Sequence, residues 1–206
     1  MHLRVWALIA VFLLPLPLVA DTISFNLTTD EHGTTTPPPG SVSVTVNRTS
    51  STTATVTFTS ASGFFMDDVF FNVNGAFTVG TISGTQPSYF AAGTGGLDSY
   101  GSFSEFLTPT PSAGSSSITI DLTAAGLNTW SSASSVLTPT TGFNPSFYAQ
   151  GFDAAATVGT SPTNGSADNG DLAGFIAPTP EPESLALVGT GLVAAVGFFR
   201  RRFLRA

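Results

Sequence analysis

The chain has neither cysteine nor lysine among its 206 residues. No disulfide can staple the fold, and thiolate zinc sites and cysteine nucleophiles are excluded. Charged side chains make up only 9% of the chain, and Arg48 is the single basic one between residues 21 and 177, against eleven carboxylates. A body that acidic repels nucleic acid and anionic headgroups, so no nucleic-acid partner is expected. Histidine is scarce too: His32 is the only one in the body. That excludes a multi-histidine metal site. A Ser-His-Asp arrangement would rest on one residue beside a Pro-rich loop, where a solvated histidine is the simpler account. No periodic helix of ten or more residues is visible in the body, and no internal repeat.

What the body does have is period-two alternation. "SVSVTV" (41–46), "TATVTFT" (53–59) and "SITIDL" (117–122) each place apolar residues on one face, which is the strand signature. Residues 63–82 read as two strands joined in a hairpin at Asn74-Gly75, a dipeptide suited to a type I′ turn. Further strands are expected at 22–27, 103–107, 134–137, 146–152 and 172–176, with Gly-, Pro- and Asn-rich breaks between them. The expectation is an all-β fold, a single jelly-roll-like β-sandwich over residues 21–177. Most of its fourteen phenylalanines, which have no polar end to satisfy, are expected in the core.

The body offers few candidate sites. Carboxylates at Asp67, Asp68 and Glu105 are the acids a polysaccharide hydrolase would need. "SADNGD" sets Asp168, Asn169 and Asp171 around a glycine, where oxygen ligands in a turn can hold calcium. The twelve-residue EF-hand pattern is missing, and a metal-free Asn-Gly turn explains the same residues. Tyr89, Tyr100, Trp130 and Tyr148 are the body's only Tyr and Trp, and so its candidates for stacking against sugar rings. Sequons stand at Asn26, Asn47 and Asn164, frequent by chance in a Thr-rich chain. No cofactor and no catalytic set is expected. The reading is a non-enzymatic, carbohydrate-binding protein, with a secreted polysaccharide hydrolase as the alternative.

The two ends are of another kind. Residues 1–20 carry Arg4, an apolar stretch and a small residue at Ala20, the layout of a signal peptide cleaved between Ala20 and Asp21 after export through Sec. At the other end, residues 185–199 are uncharged. As a helix they span about 22 Å, short of the roughly 30 Å hydrocarbon core. Arg200, Arg201, Arg202 and Arg205 follow and would stay on the cytoplasmic side. Pro180 and Pro182 fix the backbone around Glu181 and hold it extended, outside the helix.

Pro180-Glu181-Pro182, then an apolar helix at 185–199, then the Arg-rich tail at 200–206, resembles the PEP-CTERM sorting signal of Gram-negative bacteria. The resemblance covers residues 178–206 and, as in that family, comes with an N-terminal signal peptide. It implies an exosortase-type processing enzyme as partner and transient anchoring in the inner membrane. It also implies passage to the cell surface or an exopolysaccharide matrix.

Overall fold

The alternating residues form two β-sheets laid face to face in the computed structural model, which describes residues 20–30, 38–85, 89–91, 93–109, 114–160, 162 and 170–176. In chain order the strands are β1 (Asp21–Leu27), β2 (Thr29–Asp30), β3 (Val42–Arg48), β4 (Thr53–Ser60), β5 (Phe65–Phe71), β6 (Phe77–Gly84), β7 (Tyr89–Ala91), β8 (Gly95–Leu97), β9 (Gly101–Phe103), β10 (Glu105–Pro109), β11 (Ser117–Ala124), β12 (Ala154–Gly159) and β13 (Gly170–Gly174). Two short 3-10 helices lie among them, at Asp98–Tyr100 and Ala133–Ser135. The first sheet has the order β1-β3-β4-β11-β6 and the second β2-β13-β12-β5-β10-β7, while β8 and β9 pair separately. β3 with β4 and β12 with β13 are hairpins within one sheet. Most other successive strands of the two sheets pass from one sheet to the other.

Burial follows the alternation. Val44, Phe58 and Ile118 sit side by side across β3, β4 and β11, as do Val46, Val56 and Ile120, and all six are fully buried. Phe58 meets Phe71 of the opposite sheet with ring centroids 6.2 Å apart. At about 25 cal/mol per Å² of apolar surface, such burial must supply what disulfides cannot. A second, smaller core lies outside the second sheet, where Phe70, Tyr100, Phe103 and Phe152 pack on Ala155 and Ala173. Phe106 stacks on Phe70 there, centroids 4.8 Å apart. β12 is therefore covered on both faces, and its three alanines are fully buried.

Several local expectations are corrected. Asn74-Gly75 is not a hairpin turn, because β5 belongs to the second sheet and β6 to the first. Gly75 does take a positive φ of 79°, but it serves a crossover between sheets. A Cβ there would lie 2.6 Å from the Asn128 side chain, whose amide donates to the carbonyls of Asn74 and Ala76. Residues 134–137 are not a strand. The Ser132 N–H donates to Ser135 Oγ and the Ser135 hydroxyl to the Ser132 carbonyl, local bonds that favour a turn over a ladder. Residues 146–152 also turn, because the Asn144 side chain accepts from the Ser146 N–H and its carbonyl from Phe147 and Tyr148. The strand expected at 103–107 breaks at Ser104. There the Ser104 N–H donates to Asn72 Oδ1 at 2.6 Å, and Ser104 Oγ accepts from the Val73 N–H. The break lets β9 and β10 enter different sheets.

Candidate functional site

Asp21, the residue after the expected signal cleavage, opens β1 at one end of the sandwich. Its Oδ1 accepts from Arg48 Nε at 2.6 Å and its Oδ2 from the Ala133 N–H at 2.6 Å. Arg48 lies on the inward face of β3, with only 4% of its side chain exposed. Ala20 is exposed. The preceding residues, those of the expected signal peptide, lie outside the described residues. So do His32, the sequon at Asn164, Asp168 and Asn169 of the calcium candidate, and the whole tail: Pro180, Glu181, Pro182, the helix expected at 185–199, Arg200, Arg201, Arg202 and Arg205. No helix among the described residues is long and apolar enough to cross a membrane.

Of the three aromatic candidates whose side chains are described, two are fully buried and one is half-buried. Trp130 is fully buried, and its ring N–H donates to the Asn74 carbonyl at 3.0 Å. Tyr100 is fully buried too. Its hydroxyl donates to the Asp171 carbonyl at 2.8 Å, with the Thr29 carbonyl at 3.0 Å sharing the proton. Tyr148 is half-buried against Tyr100 and Phe152, centroids 5.4 and 4.9 Å away. These rings were drawn inward because a Tyr or Trp satisfies its polar end on a carbonyl and buries the rest. The side chain of Tyr89 lies outside the description.

The carboxylates divide between the two faces of the second sheet. Pairing of β12 with β5 shifts register between Thr157 and Val158, a bulge that puts Asp67 and Asp68 together on the outer face while Met66 and Val69 both point into the core. Adjacent strand residues would otherwise face opposite ways. Thr157 lies beside Asp68 on one side and Asp171 on the other, and its hydroxyl donates to Asp171 Oδ1 at 3.1 Å. Glu105, by contrast, pairs with the inward Phe71. Carboxylates on opposite faces cannot flank one glycosidic bond, so Glu105 and the aspartates do not make a hydrolase pair. Among the described residues, no group of three or more His, Cys, Asp or Glu is arranged to hold a metal ion. Asp171 stands in β13, bonded to Thr157.

Burial pushes the carboxyls of Asp67, Asp68 and Glu105 above their usual range. For Asp68 the neighbouring charges of Asp67 and Asp171 add to desolvation, and a hydrogen bond from Thr108 opposes it. One buried oxygen on each of Asp67 and Asp68 has no hydrogen-bond partner. A raised folded-state pKa means that the folded protein binds more protons. This contribution to stability is therefore favourable below the ordinary Asp range and is lost as pH rises through the folded values. Asp68→Asn is expected to raise the melting temperature at neutral pH by a few degrees. The gain should vanish in acid, where the wild-type carboxyl is protonated in both states. Melting curves of both proteins from acid to neutral pH check this, and a gain that persists in acid would contradict it.

The outer face of the first sheet is different. It alternates with the core residues of β1, β3, β4, β11 and β6 and carries Ser, Thr and Asn side chains, with Asp121 its one charge. Its middle row runs Ser24, Thr45, Thr57, Thr119, Ser83 across the five strands. Ser24 and Thr45 share a hydroxyl hydrogen bond of 2.8 Å, and Thr57 and Thr119 one of 3.0 Å. In the sequence these are the polar positions that alternate with the apolar ones. The signal was visible in the runs "SVSVTV", "TATVTFT" and "SITIDL", whose polar positions are nearly all hydroxylated.

Comparison with curated proteins returned no match, and neither did comparison with solved structures. Residues 178–202 match the family model of the PEP-CTERM protein-sorting motif, so the C-terminal end of this chain carries the address that its Pro-Glu-Pro, apolar and arginine segments resemble.

Proposed function

We propose that this chain is a non-enzymatic protein of the cell surface or extracellular matrix that is sorted by its tail and binds carbohydrate through its body. The PEP-CTERM motif at 178–202 carries the reading, since such a motif marks an exosortase-sorted protein, exported as a membrane-anchored precursor and processed for surface display. In the finer reading, Sec exports the chain and signal cleavage falls after Ala20. The 185–199 helix then holds the body outside the inner membrane. Central leucines and valines contribute a few tenths of a kcal/mol each to insertion, and small residues contribute little, which suits a temporary anchor. Arg200, Arg201, Arg202 and Arg205 oppose translocation. Exosortase reads the extended Pro180–Pro182 segment and releases the body towards an exopolysaccharide. The competing hydrolase reading has the same tail. The split of the carboxylates between opposite sheet faces removes from it the pairing of Glu105 with Asp67 or Asp68.

Mass and location in cell fractions test the sorting. Replacing all four tail arginines with Asn is expected to let full-length chain leak outward. Glu181→Ala is expected to leave insertion intact and to slow trimming. Trimming of Glu181→Ala at the wild-type rate would remove Glu181 from recognition. A mature protein that keeps its arginine tail would make the segment a plain anchor.

A further inference from the structure

We infer that the hydroxyl-lined outer face of the first sheet is the docking surface for a single extended, uncharged polysaccharide chain lying across the strands. This rests on the carbohydrate reading above and names its site.

Charge comes first. The body is strongly acidic, yet this face carries one carboxylate, Asp121, and no cation. Neither an anionic nor a cationic polymer finds a counterpart there. A protein partner does not fit either. Stable protein interfaces rely on buried aromatic, Met or Arg anchors, and the outward positions of these five strands supply none. What the face offers is hydrogen-bond donors and acceptors in regular rows, the complement of a neutral polyhydroxylated chain.

Geometry then fixes the orientation. Neighbouring strands stand about 4.8 Å apart, so the row Ser24–Thr45–Thr57–Thr119–Ser83 spans roughly 19 Å, a length that several consecutive sugar rings would cover. The sheet twists by about 20° per strand, so a rigid flat crystal surface would match only neighbouring strands. Twist turns the strands about the line that crosses them and leaves that line nearly straight. One extended chain along the row therefore meets every strand.

Pre-organisation supplies the rest. Hydroxyl contacts made in water contribute little singly, because water competes for both partners. Ser24 with Thr45, and Thr57 with Thr119, already hold each other in place. One internal bond per pair uses one donor and one acceptor and leaves one donor and several acceptor lone pairs for a ligand. Ordering entropy is thus largely met before binding, and repeated weak contacts along one polymer add up.

The test uses the processed protein purified from its native envelope. Its depletion from solution is measured over cellulose, starch, agarose, anionic alginate and the neutral polysaccharide fraction of the host's own envelope. The expected result is salt-insensitive binding to at least one neutral polymer. The triple variant Thr45→Val, Thr57→Val, Thr119→Val keeps shape and strand preference and removes the row's hydroxyls. It should weaken binding by about tenfold or more, since the contacts act together. Ser146→Ala, an exposed hydroxyl on the turn outside the second sheet, should leave binding unchanged. Thr57→Lys, which obstructs the row with one long side chain, should act like the triple variant and covers the case in which that variant fails to melt cooperatively. Unchanged binding by the row variants would overturn the site and leave the carbohydrate reading standing. Binding to alginate alone, weakened by salt, would overturn the neutral chain. No binding to any polymer would overturn both site and reading.

Discussion

Trp130→Ala should cost about 3–5 kcal/mol, the usual range for truncating a fully buried aromatic side chain. The ring is 0% exposed and its N–H donates to the Asn74 carbonyl, while the Trp130 backbone N–H donates to the Ser51 carbonyl at 2.7 Å. One residue thus ties the β3–β4 turn to the crossover between the two sheets. Native domains are stable by about 5–15 kcal/mol, so this one truncation removes a large share, equivalent to roughly 10–15 °C in melting temperature. Trp130→Phe separates the two contributions. It keeps most of the apolar volume and drops the N–H, leaving the Asn74 carbonyl to Asn128 Nδ2 at 2.8 Å. Its cost should be about 1–2 kcal/mol. Denaturant unfolding of the three proteins decides. Equal costs for the Phe and Ala variants would mean that the hydrogen bond, not ring volume, dominates. Were Trp130 a ring for stacking sugars instead, truncation would leave stability nearly unchanged.

The strands legible in the sequence were those whose two faces meet different surroundings. β1, β3, β4 and β11 have a core on one side and solvent on the other, so their residues alternate and their positions could be read. β12 could not be read. Both its faces are covered, it is built from Ala154, Ala155 and Ala156, and alanine is depleted in strands. The expectation settled instead on 146–152, where Phe147, Tyr148 and Phe152 resemble a strand but Asn144 organises a turn. Asn74-Gly75 bends the chain at the positive φ of Gly75 but forms no hairpin, because a dipeptide fixes a bend and not which sheet follows it. The two aspartates of β5 reach one face only through a bulge, and a bulge leaves no mark in the sequence pattern. Tyr100 and Trp130 were named as candidate ligand contacts since exposure cannot be read from residue type. The sorting tail was legible because it is a linear signal, with its meaning in the order of its segments.

The second large effect is expected at the ion pair of Asp21 and Arg48. Removing one partner of a buried pair strands the other charge, which costs about 3–5 kcal/mol, whereas an apolar side chain of similar size in place of the charge is often tolerated. The two residues are not equally buried: 4% of the Arg48 side chain is exposed, against 39% for Asp21. Asp21→Ala should therefore be the more damaging change. It leaves the inward guanidinium without this carboxylate and the Ala133 N–H without its acceptor. Water reaching the half-exposed position brings the cost towards about 3 kcal/mol. Arg48→Met leaves a carboxylate that water can reach and should cost about 1 kcal/mol. The double variant Asp21→Ala, Arg48→Met should recover much of the loss, so a double-mutant cycle on denaturant unfolding should give a clear coupling energy. The deeply placed guanidinium should keep that coupling largely independent of salt. An Arg48→Met protein less stable than Asp21→Ala would reverse the assignment and make the packing of the Arg48 stem the dominant contribution. The asymmetry also bears on export. Cleavage between Ala20 and Asp21 would retain the carboxylate as the first side chain of the mature protein. Cleavage one residue later would delete it, and a body beginning at Thr22 should unfold at the same denaturant concentration as Asp21→Ala.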